Sequence, residues 1–301
     1  MRYAVARGRR TRRHRGGTAA LGAAAAARLR SAGHEVTEVV TDSLEHARAR
    51  CGALVADGLD VLAVAGGDGA VSLGADLCAV TSTALAILPS GTGNDSARSL
   101  GLVGGQQGTG PLQALMDDRR RRIDTLHVPE LDRHVLGSVP AALDARISAR
   151  ANAWPRHLGP LTYTLSALVE IALLRRQPPL RYTLTVDDRR SELEALVVVP
   201  ANLPYFGGGL PIAPDADPAD GLLDLVVITP VAPLEALRLL RAVRAGRHAD
   251  HPAVTITRAR RVHLEGPSDI VAQADGDELG PLPLTVQVSP SSLQVVAPPL
   301  T

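Results

Sequence analysis

The 301-residue chain balances 32 basic against 31 acidic residues, a formal net charge of +1, so it lacks the basic excess that nucleic-acid binding writes into a sequence. Aromatic residues make up 2%, too few for base-stacking platforms. Every basic residue is arginine and no lysine occurs, which excludes a lysine-bearing phosphate loop and leaves backbone amides, arginine and metal for any phosphoryl chemistry.

Residues 3–6 read as a first short strand. The stretch after it, with Arg7, Gly8, Arg9, Arg10, Arg12, Arg13 and Arg15, reads either as a solvated loop or as a contact for phosphate or an anionic membrane surface. No apolar core and cleavage site follow, so no signal peptide is expected. An alanine-rich helix over 19–32 stops at Gly33, residues 34–40 alternate as a strand, and Asp42 or Ser43 caps a helix running to about residue 56. Cys51 and Cys78 lack metal-ligand spacing and read as small buried hydrophobes.

Residues 59–93 carry the densest signal. Val61, Leu62, Ala63, Val64 and Ala65 form an unbroken apolar run, the pattern of a strand buried on both faces, and it stops at Gly66, Gly67, Asp68 and Gly69. A second apolar strand over 84–88 ends in Pro89, Gly91, Thr92, Gly93, Asn94 and Asp95. Two neighbouring strand ends thus carry glycine turns whose amides a phosphate could approach, at the position where open α/β sheets bind ligands. The alternation of strands and helices predicts a parallel sheet. Asp95 reads equally as a helix cap or as a phosphate-site residue.

Residues 104–110 read as loop, 111–116 as a short helix, and Arg119 to Arg122 as a solvated basic face. From about residue 123 strand-like segments outnumber helices, which are expected only over 144–151, 161–176 and 234–245. The expected division is an α/β nucleotide-binding domain over 1–122, to which a last strand at 290–301 returns, and a β-rich domain over 123–289. The longest apolar stretch, 161–174, is interrupted by Glu170 and falls short of the roughly 20 residues a membrane span needs.

Four blocks in order, GGDG at 66–69, PSGTGNDSARSLGL at 89–102, NLPYFGGGLPIAPDADPADGLLD at 202–224 and DGDELGPLP at 275–283, resemble the diacylglycerol kinase catalytic family, particularly its soluble bacterial lipid kinase branch. The resemblance implies an N-terminal α/β domain that holds ATP and a β-sandwich-like domain completing a cleft where a lipid hydroxyl is phosphorylated. Carried over, Thr41, Gly66, Gly67, Asp68, Gly69, Ala70, Val71, Ser72, Gly91, Thr92, Gly93, Asn94 and Asp95 belong to the nucleotide site, with Asp68 facing Mg²⁺ and phosphates. Asp220 falls on the family's second metal site, with main-chain oxygens at Asp217 and Leu222. The family's Asp-Gly-Glu turn, whose acid takes the acceptor's proton, falls on Asp275, Gly276 and Asp277; Asp277 is one methylene short, so Asp275 or Glu278 could substitute.

Bland readings stand beside these roles. Asp220 with Gly221 and Asp275 with Gly276 are ordinary turn dipeptides. The chain departs from the family where its Asn-Pro pair is replaced around Arg7 and Gly8, where Ala70 takes the place of threonine, and where Ala142 and Leu143 replace a glycine-phenylalanine pair. The expected activity is an ATP- and Mg²⁺-dependent kinase acting on a lipid hydroxyl, diacylglycerol first. A sphingoid or other lipid alcohol, an NAD kinase and a catalytically weak nucleotide-binding regulator are the rivals. The expected setting is cytoplasmic, peripheral to the inner membrane face, with no transmembrane segment and no nucleic acid, and with a homodimer left open.

Overall fold

The computed structural model describes residues 1–8, 17–91, 93–103, 110–142, 147, 150, 166, 169–170, 173, 179–268, 270–275 and 277–298. The chain divides into two compact units, Met1–Asp124 with Ser291–Thr301, and Thr125–Pro290.

In the first unit five strands lie parallel in the order β2-β1-β3-β4-β17: β1 (Arg2–Gly8), β2 (Glu35–Thr41), β3 (Val61–Gly66), β4 (Ala84–Pro89) and the end of β17 (Leu284–Val296). All six residues of β3 are buried, as its unbroken apolar run requires. Helices α1 (Gly17–Ser31), α2 (Leu44–Ala56), α3 (Asp68–Cys78), α4 (Asp95–Ser99) and α5 (Pro111–Asp117) alternate with the strands. Small side chains let α1 and α3 approach the sheet. Ala25 and Ala26 pack with Val5, Ala63 and Ala86, and a Cβ added at Gly74 would come within 2.8 Å of Leu85 and Val64. Of the two capping residues expected for α2, Ser43 takes the role, its hydroxyl accepting from the His46 amide at 3.2 Å, a bond worth roughly 1 kcal/mol.

Two expectations change here, and a third lies mostly beyond test. Leu284–Val296 is one thirteen-residue strand running unbroken through residue 290, where a separate last strand was expected to begin; its first residues pair antiparallel with β14 (Arg261–Glu265) and its last parallel with β4. The basic run at 119–122 is not a plain solvated face. β5 (Arg120–Val128) begins in it, and its guanidiniums have fixed partners: Arg120 with Asp118 at 2.9 Å, Arg121 with the Leu100 carbonyl, Arg122 with the Ser291 carbonyl. Most of the helices expected over 144–151 and 161–176 lies outside the described residues.

The second unit is β-rich. β7 (Leu180–Val186) pairs antiparallel with β8 (Arg189–Ala195) and with β14, β6 (Arg133–Val135) pairs with β5, and β9 (Val197–Ala201), β12 (Leu223–Ile228) and β13 (Val254–Ala259) form a separate sheet. Two short hairpins join β10 (Tyr205–Phe206) with β11 (Leu210–Pro211) and β15 (Val271–Ala274) with β16 (Asp277–Pro281). The main core gathers Leu126, Tyr182, Leu225, Val262 and Leu284. Helix α6 (Pro233–Arg244) lays Leu239 and Val243 on the β9-β12-β13 sheet and buries Ala236 beside them. No helix among the described residues is long and apolar enough to cross a membrane.

Candidate functional site

In the first unit the register Gly66↔Pro89 ends β3 and β4 side by side, and parallel pairing puts Gly8 and Thr41 at the carboxyl ends of β1 and β2. The two glycine turns then meet backbone to backbone. A Cβ on Gly91 would come within 2.6 Å of the Gly67 Cα, and the Ser90 amide donates to the Gly66 carbonyl at 3.0 Å. Only glycine permits that approach. Gly67 caps α3 without any side-chain bond, so no cap side chain satisfies the helix's first amides, which lie at the positive end of its dipole.

Asp68 is tied differently from the expectation. Its two carboxylate oxygens accept from the Asp95 amide at 3.0 Å and the Asn94 amide at 3.2 Å, so it closes the amino end of α4 from the neighbouring turn. The Asn94 side chain turns back on Gly91, accepting its amide at 2.9 Å and donating to its carbonyl at 2.8 Å, with Asn94 itself in the left-handed region at φ 53°. Asp68 therefore reaches phosphates or metal only with lone pairs these two bonds leave over. Asp95 is the first residue of α4 and its own cap is Asn94 with help from Asp68, which removes Asp95's expected capping role.

Among the other residues expected at this site, Thr41, Val71 and Ser72 are buried. Ala70 places a methyl beside Gly66, whose added Cβ would come within 2.6 Å of it. Gly69 stands in the first turn of α3 and Gly93 just before Asn94. Thr92 lies outside the described residues.

In the second unit Asp275 and Asp277 have opposite surroundings. Asp275, in the left-handed region at φ 48°, accepts from the amides of Gly137 and Ser138 at 3.1 Å and of Leu136 at 3.3 Å. A Cβ on residue 137 would collide with that carboxylate. Asn202, buried, holds the same segment from its other side, its Nδ2 donating to the Leu136 carbonyl at 2.9 Å and its amide to the Gly137 carbonyl at 2.8 Å. The lone pairs of Asp275 are thus committed to fixing backbone, which makes it the poorer of the two proton acceptors.

Asp277 opens β16 as an exposed residue. Even so, desolvation by the surrounding chain pushes its carboxyl above the usual aspartate range, opposed by the nearby positive charge of Arg133. The accessible surface of the residue and the crowding of its carboxyl are distinct, and the second governs its proton affinity. Glu278, the alternative acid, is exposed and pairs across the hairpin with Gln273.

The expected metal residues lie in the turn before β12. Asp217 accepts from the Ala219 amide at 3.0 Å, Asp220 accepts from the Leu222 amide at 2.9 Å and pairs with Arg258, and Gly221 takes φ 75°. These are the bonds of a self-supporting turn. Asp224 is buried just beyond, its carboxyl pushed up first by burial and then by the charge of Asp215, so negative charge accumulates along 215–224. Among the described residues no three His, Cys, Asp or Glu side chains are grouped to hold a metal. The expected donors, the Asp220 carboxylate with two main-chain oxygens, are a different, all-oxygen set whose chemistry suits a hard cation.

Sequence reasoning missed Arg133, which nothing in its surroundings marks, and the amides of residues 136–138. Gly137, alone between strand-like residues, was the signal that another group approaches the backbone there.

The diacylglycerol kinase catalytic domain model matches residues 14–128, and the YegS C-terminal NAD kinase beta sandwich-like domain model matches residues 137–297. The chain is 36% identical to a diacylglycerol kinase of Mycobacterium tuberculosis over 91% of its own length and 88% of that protein's. A diacylglycerol kinase of Staphylococcus epidermidis is 21% identical, with 85% and 80% covered. A diacylglycerol kinase crystal structure from Bacillus anthracis superposes with a TM-score of 0.71 at 17% identity, covering 99% of this chain and 97% of that one; this is a likeness of fold.

Proposed function

Because the chain belongs to the diacylglycerol kinase catalytic family, we propose that it transfers the γ-phosphoryl group of ATP to the hydroxyl of a membrane lipid, with diacylglycerol the first acceptor to test. The observation that carries this reading is the backbone contact of the two glycine turns at Gly67 and Gly91, next to the uncapped start of α3. Such a surface offers amides and a helix dipole to a triphosphate without any ammonium group, which suits a chain that has no lysine. ATP enters as its Mg²⁺ complex, the ion being part of that substrate.

Phosphoryl transfer asks mainly for positioning and charge neutralisation. In this reading the main chain of Gly66–Ser72 and of Gly91–Asp95 orients the phosphates, and Asp68 keeps the two turns together. Asp277 takes the proton from the acceptor hydroxyl, a task its raised proton affinity favours. Asp275 is the positioning residue that fixes the turn from which Asp277 projects. A further Mg²⁺ would be held by Asp220 and the main-chain oxygens of Asp217 and Leu222, where it would neutralise the acidic turn 215–224.

The test is incubation of the purified protein with labelled ATP, Mg²⁺ and mixed micelles containing diacylglycerol or a sphingoid base. Labelled phosphatidate is expected, and Asp277→Asn should cut its formation by about 10²–10⁴-fold with ATP binding retained. ATP binding with no labelled lipid from any acceptor would instead support a nucleotide-binding regulator, the reading that the methyl of Ala70 favours.

A further inference from the structure

We propose that the outer face of α6 docks the second unit onto an anionic lipid bilayer. The helix is strongly two-sided. Leu239 and Val243 are buried against the β9-β12-β13 sheet, with Ala236 buried beside them, at 3%, 5% and 4% exposure. On the opposite side Arg238 and Arg241 flank Leu234, Arg244 lies at the edge of that face, and Arg247 follows just past the helix end; all four are exposed. Glu235 is the one acid of the helix, and it engages Arg238 at 3.0 Å and His251 at 3.0 Å. Leu234 stands at the amino end of the arginine face, four and seven residues before Arg238 and Arg241, and is 62% exposed, with Leu237 partly exposed one turn on.

Exposed arginines alone would fit any polyanion. The leucines choose among them: an apolar residue set among guanidiniums on a two-sided helix is the pattern of helices that lie in a headgroup layer, whereas a nucleic-acid backbone has no use for it. The helix is also firmly seated, as a docking element must be. Val243 packs with Ile212, Ala213 and Ala216, and buried His248 binds the Ile212 carbonyl through Nε2 at 2.9 Å. The choice of a membrane as partner rests in part on the lipid acceptor proposed above.

The test is co-sedimentation of the whole chain with vesicles of equal parts phosphatidylcholine and phosphatidylglycerol, against vesicles of phosphatidylcholine alone. No nucleotide and no acceptor lipid are present, so a failed kinase assay leaves this result untouched and sinks only the functional reading. The parent protein should bind the anionic vesicles, release them as salt shortens the screening length, and ignore the neutral ones. Each arginine near an anionic surface is worth about fivefold in partitioning, so the triple change Arg238→Gln, Arg241→Gln and Arg247→Gln should weaken binding about a hundredfold. Leu234→Ser should weaken it less. Circular dichroism checks folding of the triple variant, and Arg241→Gln alone, with a fivefold loss, serves if the triple does not fold. Vesicle binding that survives these changes, or parent binding indifferent to salt and lipid charge, overturns the proposal. So does loss of binding to a polyribonucleotide in the triple variant while vesicle binding persists, which would assign the face to nucleic acid.

Discussion

Both units use the same device, a carboxylate accepting from consecutive backbone amides, and they use it to opposite ends. In the first unit Asp68 takes the amides of Asn94 and Asp95 and thereby ties two glycine turns together, and the function proposed above gives the work there to main chain. In the second unit Asp275 takes the amides of residues 136–138, and the function proposed above gives the work to the next acid, Asp277. The contrast teaches that an acid in a glycine turn can be bound up in holding backbone while the acid two residues on is left exposed. Bond geometry, which no motif carries, decides which is which.

The sharpest way to break the contrast is to fill the backbone contact in the first unit. Gly91→Ala sets a methyl 2.6 Å from the Gly67 Cα, which is main chain, and 3.2 Å from the Asn94 side-chain oxygen that accepts from the Gly91 amide. A loss of about 1–3 kcal/mol in stability is expected, together with loss of ATP binding, measured by thermal melting and by calorimetric titration. ATP affinity unchanged in a folded Gly91→Ala protein would show that the turns do not form the phosphate surface.

The second unit is sharpened by Asp275→Asn. The amide keeps one acceptor oxygen and turns a donor toward backbone amides, which leaves buried donors without partners at a cost of about 1–3 kcal/mol. Because the residue acts through Asp277, kcat for lipid phosphorylation should fall while KM for ATP stays put. A fall confined to KM for ATP would contradict a positioning role in the second unit.

How far these features were legible in the chain follows from the same contrast. The parallel sheet was readable because an unbroken apolar run such as Val61–Gly66 has one stable place, buried on both faces. The β-rich second half was readable from alternation, as in Leu180–Val186. The meeting of the glycine turns was inferable from two strands ending alike. The partners of Asp68 and Asp275 were not, because they are set by contacts 26 and 139 residues away that leave no local pattern. That β17 runs unbroken through residue 290, where a separate last strand was expected to begin, has a related reason: Ser289, Pro290 and Ser291 look like a break, and only pairing with different neighbours on either side keeps the strand extended. The metal expected at Asp220 came from the family resemblance, whereas Arg258, arriving from β13, could not be foreseen.

That acidic turn supplies a smaller effect. If Asp220 and main-chain oxygens of Asp217 and Leu222 take Mg²⁺, free ion at about ten times its Kd should stabilise the nucleotide-free protein by about 1.4 kcal/mol, seen as a rise in melting temperature that EDTA reverses. Asp220→Ala should abolish the response. An equal melting temperature in Mg²⁺ and in EDTA would leave Arg258 as the sole counter-charge of the turn and remove the metal from this unit.

The smallest effect tests whether the first unit depends on side-chain charge at all beside its backbone surface. Glu38 on β2 binds Arg30 at 2.9 Å and Arg7 at 3.0 Å, and these bonds, Arg30's foremost, hold its carboxyl below the usual glutamate range. A depressed value in the folded protein means that folding favours the ionised form. The pair's stabilisation is therefore complete above the ordinary glutamate value and disappears as the pH falls through the lower, folded one. With Arg30 half exposed, the contribution is under about 1 kcal/mol. Denaturant melts of the parent and of Glu38→Gln should differ by a constant amount at neutral pH and converge in acid. Convergence at alkaline pH instead would reverse the sign and refute the assignment. Since Arg7 stands beside Gly8 at the carboxyl end of β1, ATP affinity that stays level in Glu38→Gln would indicate that the orientation of Arg7 plays no part in nucleotide binding, leaving it to the turns at Gly67 and Gly91.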